Sequence, residues 1–342
     1  MRTLFTGITL LFKVVLFLGL ALAWMWGITA LYLSCPEPHW FKVLLACVFA
    51  MCLPAAFVFS RSFIKGSLSG LAVFAVLLIW WQTLTPTNDK DWAPDVAQIS
   101  HGEIEGDKLV MHNVRNFDYR SVTDFDQRWE TRTFNLNNLQ GLDLFLSYWA
   151  SDNIAHTILS WDFGVDGHLA VSIETRKDKT QSYSAVKGFF KQFEIAYIAA
   201  DECDIIRLRT NYRKERVYLY RLEVANEDTL ALLKEYLREM NRLVAEPEFY
   251  DALTRNCTTT IKIHTDAINP GKPPPLDWRL LATGHVDELL YERKNVSTAL
   301  PFAELRKASR VDLKMQKEGR EDFSRKMREH IKLSLINNSE PT

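Results

Sequence analysis

The sequence has no CxxC pair and no Cys/His spacing typical of zinc sites, and its five cysteines are scattered through 342 residues. It also has no Gly-rich phosphate loop and no internal repeat. A formal net charge of −1 gives no overall basic field of the kind that gathers nucleic acid. These absences argue against a metal site, a nucleotide enzyme and a nucleic-acid-binding protein, and we expect no cofactor.

Long apolar runs fill the first quarter of the chain. A membrane-spanning helix needs about 20 mostly apolar residues. Segments 9–33, 41–60 and 68–84 meet this requirement. A cleaved signal peptide ending near Ala21-Leu22-Ala23 is the competing interpretation of the first segment, but the apolar run continues well beyond that point. The sequence therefore predicts three spanning helices.

The positive charges near these helices predict their orientation. Arg2 and Lys13 flank the first helix, and Arg61 and Lys65 lie between the second and the third. The other turn holds Glu37, His39 and Lys42. Since Lys and Arg accumulate on the cytoplasmic side, the N-terminus is expected to be cytoplasmic. The remainder of the chain would then lie in the periplasm, behind a bacterial inner membrane.

Composition divides the chain into four parts. We predict a three-helix membrane anchor over 1–85, a linker rich in Pro, Asn and Asp over 86–98, a soluble domain over 99–295 and a C-terminal helical extension over 296–342. Short alternating segments predict strands at 108–114, 155–163, 168–175, 193–198, 205–210 and 217–222. Helical spacing predicts helices over 226–243, from 257 to about 269 and over 322–335, with a stiff proline loop at 271–275. The fold class is therefore α+β.

Cys257 is the candidate nucleophile. It opens a predicted helix, and a helix N-terminus lowers a thiol pKa because free N–H groups and the helix dipole favour the thiolate. Neighbouring N–H groups would also hold an oxyanion. Two structural alternatives remain: Cys257 is a small core residue, or it forms a disulfide with Cys203 in an oxidising compartment.

His156 and Glu174 are the candidate base and orienting acid. His156 lies at the head of an apolar strand, whereas His264 follows Cys257 by about two helical turns, too far for direct contact. If the hairpin turn centres near 165, paired residues sum to 330, and Glu174 faces His156. The alternatives are a strand histidine satisfied by a backbone carbonyl, and a carboxylate paired with Arg176, Arg207 or Arg209.

Several blocks over about residues 110–290 resemble the N-terminal periplasmic domain of the bacterial lipoprotein N-acyltransferase Lnb. They are Ile154-Ala155-His156-Thr157, Ser172-Ile173-Glu174-Thr175-Arg176, Asp201-Glu202 with Arg207-Leu208-Arg209-Thr210, and Pro247-Glu248-Phe249-Tyr250 leading to Asn256-Cys257-Thr258-Thr259. The resemblance implies a permuted papain-like (NlpC-type) thiol domain, with an antiparallel sheet packed on helices. The order His156, Glu174, Cys257 fits the permutation. The spanning helices precede the domain here, whereas members associated with lipoprotein acylation carry them after it.

The resemblance implies an acyltransferase that moves an acyl chain from a phospholipid to Cys257 and then to a lipoprotein amine. Two alternatives are kept. One is a cysteine peptidase or amidase acting on envelope peptides, and the other is a membrane-anchored scaffold with a structural Cys257. The expected partners are membrane lipid and a lipoprotein substrate, while the sequence leaves the oligomeric state open.

Overall fold

A computed structural model describes residues 2–35, 38–271 and 275–339. Glu37 of the first interhelical turn and Lys272-Pro273-Pro274 of the predicted proline loop lie outside the described residues. The chain divides into two compact units. The first contains the residues up to Thr87 together with Tyr183–Phe193, and the second contains Asn88–Ser182 and the chain from Glu194 onwards.

The first unit is built on three helices long and apolar enough to cross a membrane, as the sequence predicted. They are α1 (Arg2–Ser34), α2 (His39–Ser60) and α3 (Phe63–Thr83). Their contacts are close because small residues lie between them. A Cβ placed on Gly27 would lie 2.6 Å from Leu77 Cδ2 and 2.7 Å from Phe49 Cε1.

Most apolar side chains of these helices point outward. The large exposed ones include Leu10, Leu18, Val48, Val58, Ile64, Val76 and Ile79. A helix that is apolar on every side is stable where hydrocarbon surrounds it, because its backbone groups are satisfied within the helix. A bilayer is the environment that suits this unit.

The second unit contains the strands β1 (His101–Glu105), β2 (Lys108–Arg115), β3 (Asp118–Tyr119), β4 (Phe125–Asp126), β5 (Trp129–Asn135), β6 (Gly141–Ser151), β7 (Ile154–Asp162), β8 (His168–Arg176), β9 (Glu194–Ala200) and β10 (Arg216–Arg221). Its helices are α4 (Glu202–Arg207), α5 (Asn226–Ala245), α6 (Cys257–Ile268), α7 (Val286–Glu292), α8 (Phe302–Ala308), α9 (Asp312–Met315) and α10 (Phe323–Ser339). The predicted helices correspond to α5, α6 and α10. The α+β class is confirmed.

The strands form an eight-stranded sheet in the order β1-β2-β9-β8-β7-β6-β10, with β5 paired to β2. Most neighbours are antiparallel, as expected, but β2 and β9 meet in parallel at Arg115 and Ala200. The sheet is therefore mixed, with one parallel pair among antiparallel neighbours. The parallel contact arises because β9 returns to the sheet beside β2 from a distant part of the chain.

Helices cover both faces of this sheet. On one face α5 and α6 pack, and Trp161 Nε1 donates to the carbonyl of Thr229 across 3.1 Å. On the other face a core cluster joins strand residues such as Ile158 to Ile206 of α4 and Met327 of α10. Side chains alternate along a strand, so each residue of β7 and β8 is assigned to one of these faces.

One predicted strand is wrong. Residues 205–210 form the end of α4 and a π-helical turn, Leu208–Tyr212, instead of a strand. The Asp201 side chain accepts a hydrogen bond from the Cys203 N–H and caps α4, with Glu202 and Asp204 in its first turn. This start signal outweighs the strand preference of the β-branched side chains that follow it.

Candidate active site

The hairpin of β7 and β8 has the register that the sequence predicted. Ile158 pairs with Ser172, and Asp162 pairs with His168, so paired positions sum to 330. The ladder ends at the Ile158 and Ser172 pair, although both strands continue towards His156 and Glu174. Beyond this point the two strands are not paired, and the Thr157 N–H helps to lower the pKa of the Cys257 thiol.

Cys257 is the first residue of α6, as predicted. Asn256 is its N-cap, and its side-chain oxygen accepts from the N–H groups of Thr258 and Thr259, each at 2.9 Å. The Thr259 hydroxyl accepts from the Asn256 N–H and completes a capping box. Thr258 also contacts Thr157 of β7, with 3.0 Å between their Oγ1 atoms. These contacts fix the half-buried thiol beside the head of β7.

The imidazole of His156 lies between this thiol and two polar side chains of β8. Its Nε2 atom is 2.6 Å from Ser172 Oγ and 3.3 Å from Glu174 Oε1. The Ser172 hydroxyl in turn donates to Glu174 Oε1 at 2.6 Å. The Cys257 thiol also lies close enough to His156 to contribute to the raised pKa of the imidazole. Because Nε2 is engaged by Ser172 and Glu174, we assign the thiol contact to Nδ1.

The three titratable groups shift one another towards charged forms. Burial acts to lower the pKa of His156, but the charge of Glu174 and the hydrogen bonds of Cys257 and Glu174 raise it to about 9. Burial acts to raise the pKa of the Cys257 thiol, but His156 and the Thr157 N–H bring it below its usual value. Burial is likewise outweighed at Glu174, chiefly by His156, and the pKa of this carboxyl falls well below its usual range. The arrangement therefore favours a thiolate beside an imidazolium.

A cysteine at a helix N-terminus, beside a histidine that contacts a carboxylate, is the arrangement that covalent catalysis at a carbonyl uses. Residues 125–284 match the family model described as the Lnb N-terminal periplasmic domain. The matched region contains His156, Glu174 and Cys257. Neither the curated proteins nor the solved structures that were compared gave a match. Together with the apolar helices, the match indicates a membrane protein with a periplasmic domain.

Arg209 adds a positive charge beside Glu174, which also contacts His156. Its guanidinium is 3.1 Å from Glu174 Oε1 and donates to the Ile205 carbonyl at 2.9 Å. The π-helical turn that carries Arg209 is closed by a hydrogen bond from the Arg213 N–H to the Leu208 carbonyl. Glu174 thus contacts both His156 and Arg209, the two kinds of partner that the sequence left open for this carboxylate.

Sequence reasoning missed two parts of the site, Ser172 and the Thr157 N–H. Ser172 lies two positions before Glu174, and period-2 alternation puts both on one face of β8. That signal was available in the sequence. The contact of Arg209 was named only as an alternative, and no local pattern identified the point at which β7 and β8 separate.

Two other candidate groups, His264 and Cys203, have different partners from Cys257. His264 is buried, with Nε2 2.5 Å from the Tyr197 hydroxyl and Nδ1 3.4 Å from Glu235 Oε1. Burial lowers its pKa. Cys203 and Cys257 are both free, so the predicted alternative of a disulfide between them is not formed in the structure. Cys203 is instead buried, and its thiol donates to the Arg320 carbonyl.

One further cluster has the composition of a metal site. Donor atoms of Asp143, His168 and Glu202 lie within 4.8 Å of one another. The Arg328 guanidinium, however, lies 2.5 Å from Asp143 Oδ2 and 2.7 Å from Glu202 Oε1. Arg221 also contacts Asp143, at 2.7 Å. These arginines already balance both carboxylates, so the donor set does not favour a cation.

Replacing Arg209 by glutamine is expected to move the acid limb of Cys257 reactivity to higher pH, by about one unit or more. The positive charge of Arg209 helps to hold the pKa of the Glu174 carboxyl low. Without this charge, the Glu174 carboxyl takes up a proton at higher pH. The neutral carboxyl no longer stabilises the His156 imidazolium, and without the imidazolium the Cys257 thiolate is lost as well. The measurement is the rate of iodoacetamide modification of the Cys257 peptide between about pH 3.5 and 7.

Arg209→Lys is the matched variant, because it keeps the charge and should keep most of the acid limb in place. Thermal unfolding of both variants reports any loss of stability. An acid limb that is the same in Arg209→Gln and the unaltered protein would show that Arg209 does not act on the site.

Proposed function

We propose that this chain is a membrane-anchored thiol acyltransferase acting at the periplasmic face of the bacterial inner membrane. The observation that carries the proposal is the contact of His156 with both Cys257 and Glu174 in an Lnb domain of a membrane protein. The order His156, Glu174, Cys257 supports a permuted papain-like thiol domain. The positive charges of Arg2, Lys13, Arg61 and Lys65 support a cytoplasmic N-terminus.

In the first half-reaction the Cys257 thiolate attacks the ester carbonyl of a phospholipid acyl chain. A C–S bond forms, and the carbonyl π electrons move to oxygen. When the tetrahedral intermediate collapses, the C–O bond to the glycerol breaks, and the leaving oxygen takes the proton of the His156 imidazolium. The products are a lysophospholipid and an acyl thioester on Cys257.

In the second half-reaction a primary amine, such as a lipoprotein N-terminus, attacks the thioester carbonyl. His156, now neutral, accepts the amine proton, the C–N bond forms, and the C–S bond breaks to release the thiolate. The reaction restores the charged pair and yields an amide. Throughout, Glu174 and Ser172 hold Nε2 and orient the ring.

The helix N-terminus supports the oxyanion of both tetrahedral intermediates. The capping box engages the N–H groups of Thr258 and Thr259. The N–H of Cys257 itself lies in the same first turn and is the donor that this cap leaves available to substrate. The positive end of the α6 dipole favours negative charge at this position.

Membrane anchoring favours a lipid as the acyl donor over a soluble peptide. A chain with three spanning helices is confined to the membrane that holds the lipid, which raises the effective concentration of donor. A cysteine peptidase or amidase would use the same thiol, and a scaffold would not need it. The experiment below separates these possibilities.

Neutral hydroxylamine treatment of the membrane-extracted protein is expected to release a long-chain fatty acyl hydroxamate. Hydroxylamine cleaves a thioester under these conditions, and the Cys257→Ser variant should release none. A protein without bound acyl chain but with a readily alkylated Cys257 would support hydrolysis instead. A Cys257→Ser variant that folds and complements a deletion would support the scaffold and contradict both enzymes.

A further inference from the structure

A segment between β8 and β9 belongs to the membrane unit and not to the sheet that flanks it. Tyr183–Phe193, which we call the interfacial segment, belongs to the same compact unit as the residues up to Thr87. The strands on either side of it, β8 and β9, are neighbours in the sheet, and β8 carries Ser172 and Glu174. A loop of a few residues would be enough to join two antiparallel neighbours, so the greater length of this connection needs another explanation.

The interfacial segment is held at the C-terminal ends of α1 and α3. Phe190 is buried in a cluster with Ala30 of α1 and Trp81 of α3. Its ring centroid lies 6.1 Å from that of Trp26 and 6.3 Å from that of Trp81. Aromatic side chains near the end of a spanning helix are typical of the region where hydrocarbon meets headgroups.

Polar contacts fix the backbone of the segment at the same place. The Ser34 hydroxyl donates to the Phe190 carbonyl at 2.8 Å, and Gln192 Nε2 donates to Ser34 Oγ at 2.9 Å. Lys191 Nζ donates to the Trp81 carbonyl at 2.8 Å, among the last carbonyls of α3. A cation there satisfies an acceptor that the helix leaves without an intrahelical partner and also complements the helix dipole.

The interfacial segment presents apolar side chains outward while Phe190 faces inward. Val186 is 57% exposed and Phe189 45% exposed. Lys187–Phe189 is a 3₁₀ turn closed by the hydrogen bond from the Phe189 N–H to the Val186 carbonyl. In a 3₁₀ turn, residues three apart lie on the same side, so these two side chains form one exposed apolar surface. This surface adjoins the ends of membrane-spanning helices.

We propose that Val186 and Phe189 insert into the bilayer leaflet at which α1 and α3 end, and that the interfacial segment takes phospholipid from that leaflet for the site on the Lnb domain. The continuity of this surface with α1 and α3 identifies phospholipid as its occupant. The insertion stands by itself, whereas the delivery of lipid rests on the proposed acyl transfer.

The first test is photo-crosslinking of the full chain in phospholipid nanodiscs, with p-benzoylphenylalanine in place of Phe189. A phospholipid adduct on the peptide that contains position 189 is the expected result. The control position is Val165, which is 92% exposed in the turn between β7 and β8 and should give no adduct. Equal crosslinking at the two positions, or none at 189, would overturn the insertion.

The second test compares the Val186→Ser/Phe189→Ser variant with Val165→Ser in the same nanodiscs. Acylation of Cys257 is expected to fall at least about tenfold in the first variant only, because an apolar side chain contributes binding of that order. Alkylation of Cys257 by iodoacetamide should stay unchanged, since the variant leaves the thiol site intact.

The two parts of the proposal fail in distinguishable ways. If position 189 crosslinks to lipid but both variants acylate at the same rate, the insertion holds and the delivery of lipid is wrong. If position 189 crosslinks but even the unaltered protein is never acylated, the insertion again holds, and the proposed function fails together with the delivery.

Discussion

Replacing His156 by alanine is expected to slow the alkylation of Cys257 at pH 6 by about tenfold or more. In the unaltered protein, His156 brings the pKa of the thiol below its usual value. Without the imidazolium, burial remains, and burial raises a thiol pKa. Only a small fraction of thiolate then survives at pH 6. The measurement is the rate of iodoacetamide modification of the Cys257 peptide.

At high pH, the proposed acyl transfer and the alkylation of Cys257 are expected to respond differently, because only acyl transfer needs a proton donor. His156 has its pKa raised to about 9, so the imidazolium is fully present at neutral pH and is lost as the pH rises through that value. Acyl transfer should therefore fall above about pH 9, while alkylation of the thiolate continues. Cys203, whose pKa burial raises to about 11, is the unreactive thiol for comparison.

His112→Ala is the matched control, because His112 is a partly exposed histidine that contacts Glu103 instead of the site. In the His112→Ala variant, Cys257 should be alkylated at the same rate as in the unaltered protein. If His156→Ala reacts as fast as His112→Ala at pH 6, the thiol does not depend on the imidazole, and the catalytic pair is contradicted.

Replacing Arg328 by alanine is expected to destabilise the soluble unit by about 3–5 kcal/mol. Arg328 of α10 contacts the buried carboxylates of Asp143 and Glu202. Glu202 also accepts from the Ser160 hydroxyl at 2.6 Å. Burial opposes the charge of Glu202, yet Arg328 keeps the pKa of this carboxyl well below its usual range. Removing the guanidinium leaves charge in the sheet core without its main partner.

The measurement is thermal unfolding, and a midpoint lower by roughly 10 °C is expected for a unit of this size. Arg325→Ala is the control on the same helix. Arg325 pairs with Asp322 and Glu329 on the surface, where ion pairs contribute little. Similar unfolding midpoints for the two variants would show that α10 is not held through the Arg328 contacts.

The hairpin and the start of α6 were predictable from sequence because both depend on local rules. A tight turn fixes the register, and a period of two then assigns His156 and Glu174 to one face. Asn256 before Cys257 is a strong cap signal, and the structure uses it for two hydrogen bonds. These local rules predicted the hairpin and the helix start, whereas the expectation that Cys257 pairs with His156 came from the family resemblance.

Long-range contacts were not predictable in the same way. The segment 205–210 has strand-like composition, but Asp201 and the acidic first turn make it α4 followed by a π-helical turn. That turn is what brings Arg209 to Glu174. Likewise, no local pattern indicates that Phe190 packs with Trp81, because the two are brought together only by tertiary structure.

The most direct test of the account is mass spectrometry of the Cys257 peptide from membrane-extracted protein, compared with the same peptide from the His156→Ala variant. The account predicts the mass of a fatty acyl chain on Cys257 in the unaltered protein and its absence from the variant. A Cys257 that carries no acyl chain under any condition, or one that is acylated equally without His156, would contradict it.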